Sequence, residues 1–132
     1  PHGVRAVMQM GNAALTSGQR MSVCIGQAGD RSDTDIAELA EVIEAAKPAH
    51  VFLREMPEQY LRGRQKGEVI EVFKNAFLEK GMDAGQITSA LSEIEALKLG
   101  LDWAEPGDFV IHLVHMERQA IKDYFATLDI NY

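Results

Sequence analysis

The feature that most restricts this chain is a regular alternation between two hydrophobic periods. Val4, Val7, Met8, Gly11 and Leu15 recur at helical spacing, and Thr16-Ser17-Gly18 breaks the run. Met21 to Ile25 is a short apolar run closed by Gly26, the pattern of a buried strand. Ser32 with Asp35 three positions on resembles a capping box, and Ile36, Leu39, Ala40 and Ile43 continue it as an apolar helical stripe. His50 to Leu53 reads as a second strand, followed by a polar loop from Arg54 to Gly67. Glu68 to Lys80 predicts a helix with Val69, Ile70, Phe73 and Phe77 inward and Gly81 as its stop. Gln86-Ile87-Thr88 is a minimal third strand, and Ser92 with Glu95 caps a helix bearing Ile94, Leu97 and Leu101. Past the Pro106-Gly107 turn, Phe109-Val110-Ile111 is a fourth strand, and Arg118 to Leu128 a last helix with Ile121, Tyr124, Phe125 and Leu128 on one side.

Alternation of this kind predicts an α/β fold: a three-layer, Rossmann-like domain with a mainly parallel sheet, helices on both faces and right-handed crossovers. The 132 residues are one domain by size. With 46% apolar and 25% charged residues the composition is that of a soluble globular protein. A formal charge of −7, from 13 Lys+Arg against 20 Asp+Glu, gives no general attraction for nucleic acid or an anionic membrane. Any anion site must be built locally. The single cysteine, Cys24, sits in an apolar run and reads as a small buried strand residue. One cysteine allows no intrachain disulfide, and there is no apolar run of membrane-spanning length; both fit a cytoplasmic protein. The pattern opens on a helix with no strand before it, and Pro1-His2-Gly3 is no translation start, so the chain is expected to be a piece of something longer.

In an open α/β sheet, ligands bind outside the carboxyl ends of the strands. The loops 26–33, 54–67 and 114–118 should therefore open on one edge. In the first, Gly26 and Gly29 permit tight turns, Asp30 and Asp33 are candidate ligands for an amine or metal, and Arg31 suits a carboxylate. The helix start behind them favours an anion. The second loop carries Arg54, Arg62 and Arg64, whose planar forks suit carboxylate or phosphate. The competing reading pairs them with Glu55, Glu58 or Glu68 to pin a long loop. His115 at the end of the last strand is a weaker candidate. His112 lies three positions before it, so the two point to opposite faces and a shared metal is not expected; His112 reads as a packing histidine with satisfied ring nitrogens. Trp103, Met8 and Met10 read as packing residues. No nucleotide phosphate loop, nucleophile elbow or zinc spacing is present, and the Gly26 loop departs from the dinucleotide fingerprint.

Three stretches carry a resemblance. Gly29-Asp30-Arg31-Ser32-Asp33-Thr34-Asp35-Ile36 resembles a Gly-Asp-Arg-x-Asp-x-Asp-Ile segment of cyanophycin synthetases, members of the Mur ligase family. Leu61-Arg62-Gly63-Arg64, with Gly67-Glu68-Val69, resembles their Leu-Arg-Gly-Arg-x-x-Gly-Glu-Val/Ile segment. The helix from Glu93 to Leu101 with Pro106-Gly107-Asp108 is similar to the turn before the last strand of Mur ligases. The resemblance implies a Mur-ligase-type carboxy-terminal domain lacking its first strand and the upstream ATPase domain. It implies an ATP-dependent carboxylate–amine ligase acting through an acyl phosphate, with ATP and Mg bound mainly upstream. The implied partners are an amino-acid substrate, nucleotide and the ATPase domain of the same polypeptide, with a homo-oligomer left open. The chain alone would be inactive. The resemblance implies Asp30 and Arg31 as substrate or domain-closure contacts. Arg62 and Arg64 match its second motif, and Asp33, Arg54 and His115 join them as expected substrate contacts from their place in the loops after the strands. His2 is the implied nucleotide-side residue, since Pro1 and His2 would follow the family's Asp-Tyr-Ala-His-Asn stretch. The alternative is a stand-alone α/β ligand-binding or interaction module; a small nucleotide-binding enzyme is disfavoured by the missing glycine fingerprint.

Overall fold

The structure, a computed structural model, describes residues 2–16, 18–113 and 117–128. Its elements follow the alternation: α1 (His2–Ala14), β1 (Met21–Ile25), α2 (Asp33–Ala45), β2 (His50–Arg54), α3 (Glu68–Glu79), β3 (Ile87–Ala90), α4 (Glu93–Trp103), β4 (Phe109–His112) and α5 (Arg118–Thr127). The four strands form one sheet in the order β3-β2-β1-β4, with every pairing parallel. The chain moves outward from β1 to β3 through α2 and α3, then reverses and returns through α4 to β4. A constant crossover hand then requires α4 on the opposite face. The reversal makes the gap between β1 and β4 the topological switch point.

Strand alternation divides the sheet into two unlike faces. Val23, Ile25, Val51 and Leu53 pack on one side with Met8, Ile36, Leu39, Ile43, Phe73 and Phe77 in the main core. Cys24 and Phe52 point to the other side, where Ala90, Ala96, Leu99 and Trp103 form a smaller cluster. That second face is also the polar one: His50 bonds Thr88 through Nε2 and Oγ1 at 2.7 Å. Small residues let α4 lie close to it. Its buried positions are Glu93, Ala96, Leu97 and Gly100; of the expected Ile94–Leu97–Leu101 stripe Leu97 is buried and the other two are only half-buried. A Cβ on Gly100 would come within 3.3 Å of Val110.

Several boundaries differ from the sequence expectation. Gln86 ends a short 3-10 turn, where its side chain caps Asp83, and β3 starts only at Ile87. Arg54 is the last residue of β2 and not the first of the loop. Met10 is 73% exposed, against the expectation of a packing residue, whereas Met8 is buried as expected. Leu128 is likewise exposed, leaving Ile121 as the buried anchor of α5. Among the described residues no helix is long and apolar enough to cross a membrane.

Candidate functional site

Because all four strands are parallel, the segments after them open on one edge. Ser32 caps α2 by accepting the Asp35 N–H at 3.1 Å, which turns the chain sharply after β1. The loop before it is docked on the second loop. Gly29 N–H donates to the Tyr60 carbonyl at 2.9 Å. A Cβ on Gly29 would stand 1.8 Å from the Leu61 carbonyl oxygen, so only glycine permits the approach. Arg64 then staples the joint: Nε donates to Gly29 O at 3.0 Å and one terminal nitrogen to Arg31 O at 2.7 Å. The same guanidinium pairs with Asp33 at 2.8 Å and Glu68 at 3.2 Å. The glycine–aspartate–arginine turn and the paired-arginine segment therefore touch along one edge.

The four arginines of this edge fall into two groups. Arg64 is spent on loop carbonyls and two carboxylates, the pinning role weighed as its alternative. Arg54 lies beneath the edge and not on it, 3% exposed, and pairs with equally buried Glu93 at 3.2 Å. Its location corrects the expectation of a loop surface contact; period-two alternation from His50 and Phe52 turns it toward α4. Arg31 and Arg62 are exposed and, among the described residues, in no ion pair. Arg62 lies 5.7 Å over the Tyr60 ring, in a left-handed backbone conformation with φ 53°. A non-glycine residue there is uncommon. Asp30 is exposed beside Arg31, and Asp33 is held by Arg64. His115 lies outside the described residues, and His2 is the first residue of α1.

Two hollows flank the joint. The larger, about 740 Å³, lies between the loops after β2 and β3 and the start of α5, with Glu55, Leu61, Arg64, Lys66, Leu91 and Ser92 among its walls. The smaller, about 130 Å³, includes Gln27, Arg31 and Asp35. Carboxylates already fill the helix starts around the larger cleft. Glu55 accepts from Met56 N at 3.0 Å and from Gly67 N at the start of α3. Glu117 accepts from Ile94 N in the first turn of α4 at 2.9 Å.

Beneath the edge sits a polar group that sequence reading did not assemble: buried Cys24, Arg54 and Glu93 beside half-buried His112. Cys24 and His112 are register partners on adjacent strands and share the α4 face. Burial pushes the Cys24 thiol up to about 12, with Arg54 pulling it down and Glu93 pushing it up. Burial lowers the His112 imidazole to about 4, the Glu93 charge opposing and the Arg54 charge assisting. Both ring nitrogens of His112 are enclosed and have no hydrogen-bond partner among the described residues, in place of the satisfied nitrogens expected. The signal for this group was the polar side chains at alternate positions on β1, β2 and β4.

No protein-family model and no curated protein matches the sequence. Among solved structures, Escherichia coli FolC in complex with ADP, without folate substrate, is similar in fold: TM-score 0.66 over 98% of this chain, at 16% identity. The chain spans 28% of the length of that protein. At this identity the shared property is the architecture, an α/β domain with a four-stranded parallel sheet flanked by helices, as the alternation of periods had indicated.

Proposed function

We propose that this chain is the carboxy-terminal domain of an ATP-dependent carboxylate–amine ligase of the Mur type, similar to the ligase portion of cyanophycin synthetase. The observation that carries the reading is the docking of the Gly29-Asp30-Arg31 turn on the Leu61–Arg64 segment at the carboxyl edge of the sheet. Two segments that resemble one family's motifs, far apart in sequence, make a single surface where an α/β sheet takes its ligands. The fold shared with part of an ADP-bound protein supports the same reading.

In this reading ATP supplies the phosphoryl group that turns a carboxylate into an acyl phosphate, and the amine of an amino acid displaces phosphate to form the amide. In this reading the phosphate loop and magnesium ligands belong to the upstream ATPase domain that the family resemblance implies. What this domain contributes is orientation. Arg31 and Arg62 present guanidinium forks for the carboxylate of the incoming amino acid or for phosphate oxygens. Asp30, exposed beside Arg31, joins them; His115, which lies outside the described residues, and His2 are proposed for the substrate and the nucleotide from the sequence alone. Arg54 and Arg64 act indirectly, by holding the loops.

The test is ADP release by the polypeptide that joins this domain to its ATPase domain, assayed with a carboxylate acceptor and each amino acid in turn. Amino-acid-dependent ADP release with amide formation is expected. ATP turnover that no amino acid stimulates would overturn the assignment.

A further inference from the structure

Among the described residues, Arg54 and Glu93 together touch segments that follow all four strands. On the β1 side, a Cβ on Gly26 would stand 2.7 Å from Arg54 Cγ and 2.9 Å from its terminal nitrogen, so the first loop rests directly on the arginine. On the β2 side the guanidinium donates to the Met56 sulfur at 2.8 Å, and Glu55 N–H donates to Ala90 O at the end of β3 at 2.9 Å. After β3, Glu93 is the first residue of α4 and closes the ion pair at 3.2 Å. After β4, the Glu117 N–H at the start of α5 donates to the second Glu93 oxygen, and Glu117 returns a bond to Ile94 N.

We infer that this buried pair is a positioning device that fixes the mutual placement of the four loops, and with it the shape of the 740 Å³ cleft. Desolvation cancels most of the attraction within such a pair, and apolar residues of similar shape often replace one without loss of stability. Its contribution is therefore registration more than stability. Main-chain bonds join these segments two at a time, Gly29 N–H to Tyr60 O and Glu55 N–H to Ala90 O, whereas the guanidinium and carboxylate touch segments after all four strands through one contact. The inference concerns the architecture of the edge and does not depend on the ligase reading.

Arg54→Met/Glu93→Leu in the intact chain separates the two roles. The amides of Gly29, Gly67 and Ile94 bond to Tyr60, Glu55 and Glu117 and to neither member of the pair. If the pair registers the loops, hydrogen exchange at these three amides accelerates by about tenfold or more. The core-strand amides of Val23, Val51 and Leu53 and the melting temperature stay as in the parent. A change confined to Glu117, whose acceptor is removed directly, would overturn the inference. So would uniform acceleration, or failure to fold, since either makes the pair a general structural contact. Glu93→Gln retains shape and an acceptor for Glu117 while removing the charge. It should accelerate Gly29 more than Ile94, and parental exchange at Gly29 would again contradict the proposal.

Discussion

Gly29→Ala isolates the joint between the two candidate segments. The backbone at Gly29 is not in the left-handed region, so alanine meets no conformational penalty there; the obstacle is space. The new Cβ would stand 1.8 Å from the Leu61 oxygen and 2.6 Å from its carbonyl carbon. These are main-chain atoms, so relief requires the two loops to separate by more than an ångström. That separation removes the Gly29–Tyr60 bond of 2.9 Å and the Arg64–Gly29 bond of 3.0 Å, and weakens the Arg64–Arg31 bond of 2.7 Å. At about 1 kcal/mol net for each, somewhat more for those from the charged guanidinium, the loss is about 3 kcal/mol. For a domain of this size it corresponds to a fall of roughly 10 °C in melting temperature. Urea denaturation of Gly29→Ala measures it, with Gly85→Ala as control, because nothing lies within 4 Å of a Cβ at Gly85. A Gly29→Ala chain within about 0.5 kcal/mol of its parent would mean that the two loops are not in close contact at Gly29, since ordinary surface substitutions fall in that range.

Three further outcomes follow from single residues. Arg62→Gly relieves the left-handed conformation at φ 53°, a cost of about 1 kcal/mol, while loosening the unfolded chain by a similar amount. Thermal unfolding should therefore show it within about 1 kcal/mol of wild type; a large loss would mean that Arg62 is a structural clamp. His112 binds its proton less readily folded than unfolded, so stability should fall as pH drops from 6.5 toward about 4, by about 2 kcal/mol once partial solvent access is allowed for. His50, also lowered by burial, adds in the same direction. Urea midpoints across that window should slope less in His112→Leu than in wild type, and equal slopes would contradict the account. Cys24, raised from 9.0 to about 12, should react with a thiol reagent at pH 8 roughly 10³-fold more slowly in the native chain than in urea. Rapid native labelling would disprove its enclosure.

The element order was legible because helices and strands this amphipathic announce their period: Ile36-Leu39-Ala40-Ile43 and Val69-Ile70-Phe73-Phe77 are buried as read. The shared edge was legible too, since parallel strands send their following loops to one side. What sequence did not show is how each arginine spends its charge. Arg54, Arg62 and Arg64 look alike on paper, yet one is buried, one exposed and one stapled to carbonyls. Burial of Arg54 depended on β2 running one residue further, and its partner Glu93 was hidden behind Ser92 and Glu95, which formed the expected cap signal. The 3-10 turns at Glu58–Tyr60 and Ala84–Gln86 are too short to carry a period. On α4 only Leu97 of the expected stripe is buried, because the rest of the side facing the sheet is built from Ala96 and Gly100, which hydrophobic periodicity barely registers.

The proposed role of Arg31 and Arg62, the two exposed arginines of the joined loops, is to hold the substrate of a ligase. Steady-state kinetics of Arg31→Ala and Arg62→Ala in the polypeptide carrying both domains address it directly. A rise of roughly tenfold or more in KM for the amino acid or in its kcat/KM deficit, with an unchanged melting temperature, is the result expected of a lost charge-assisted contact. Parental kinetics in both variants would contradict it.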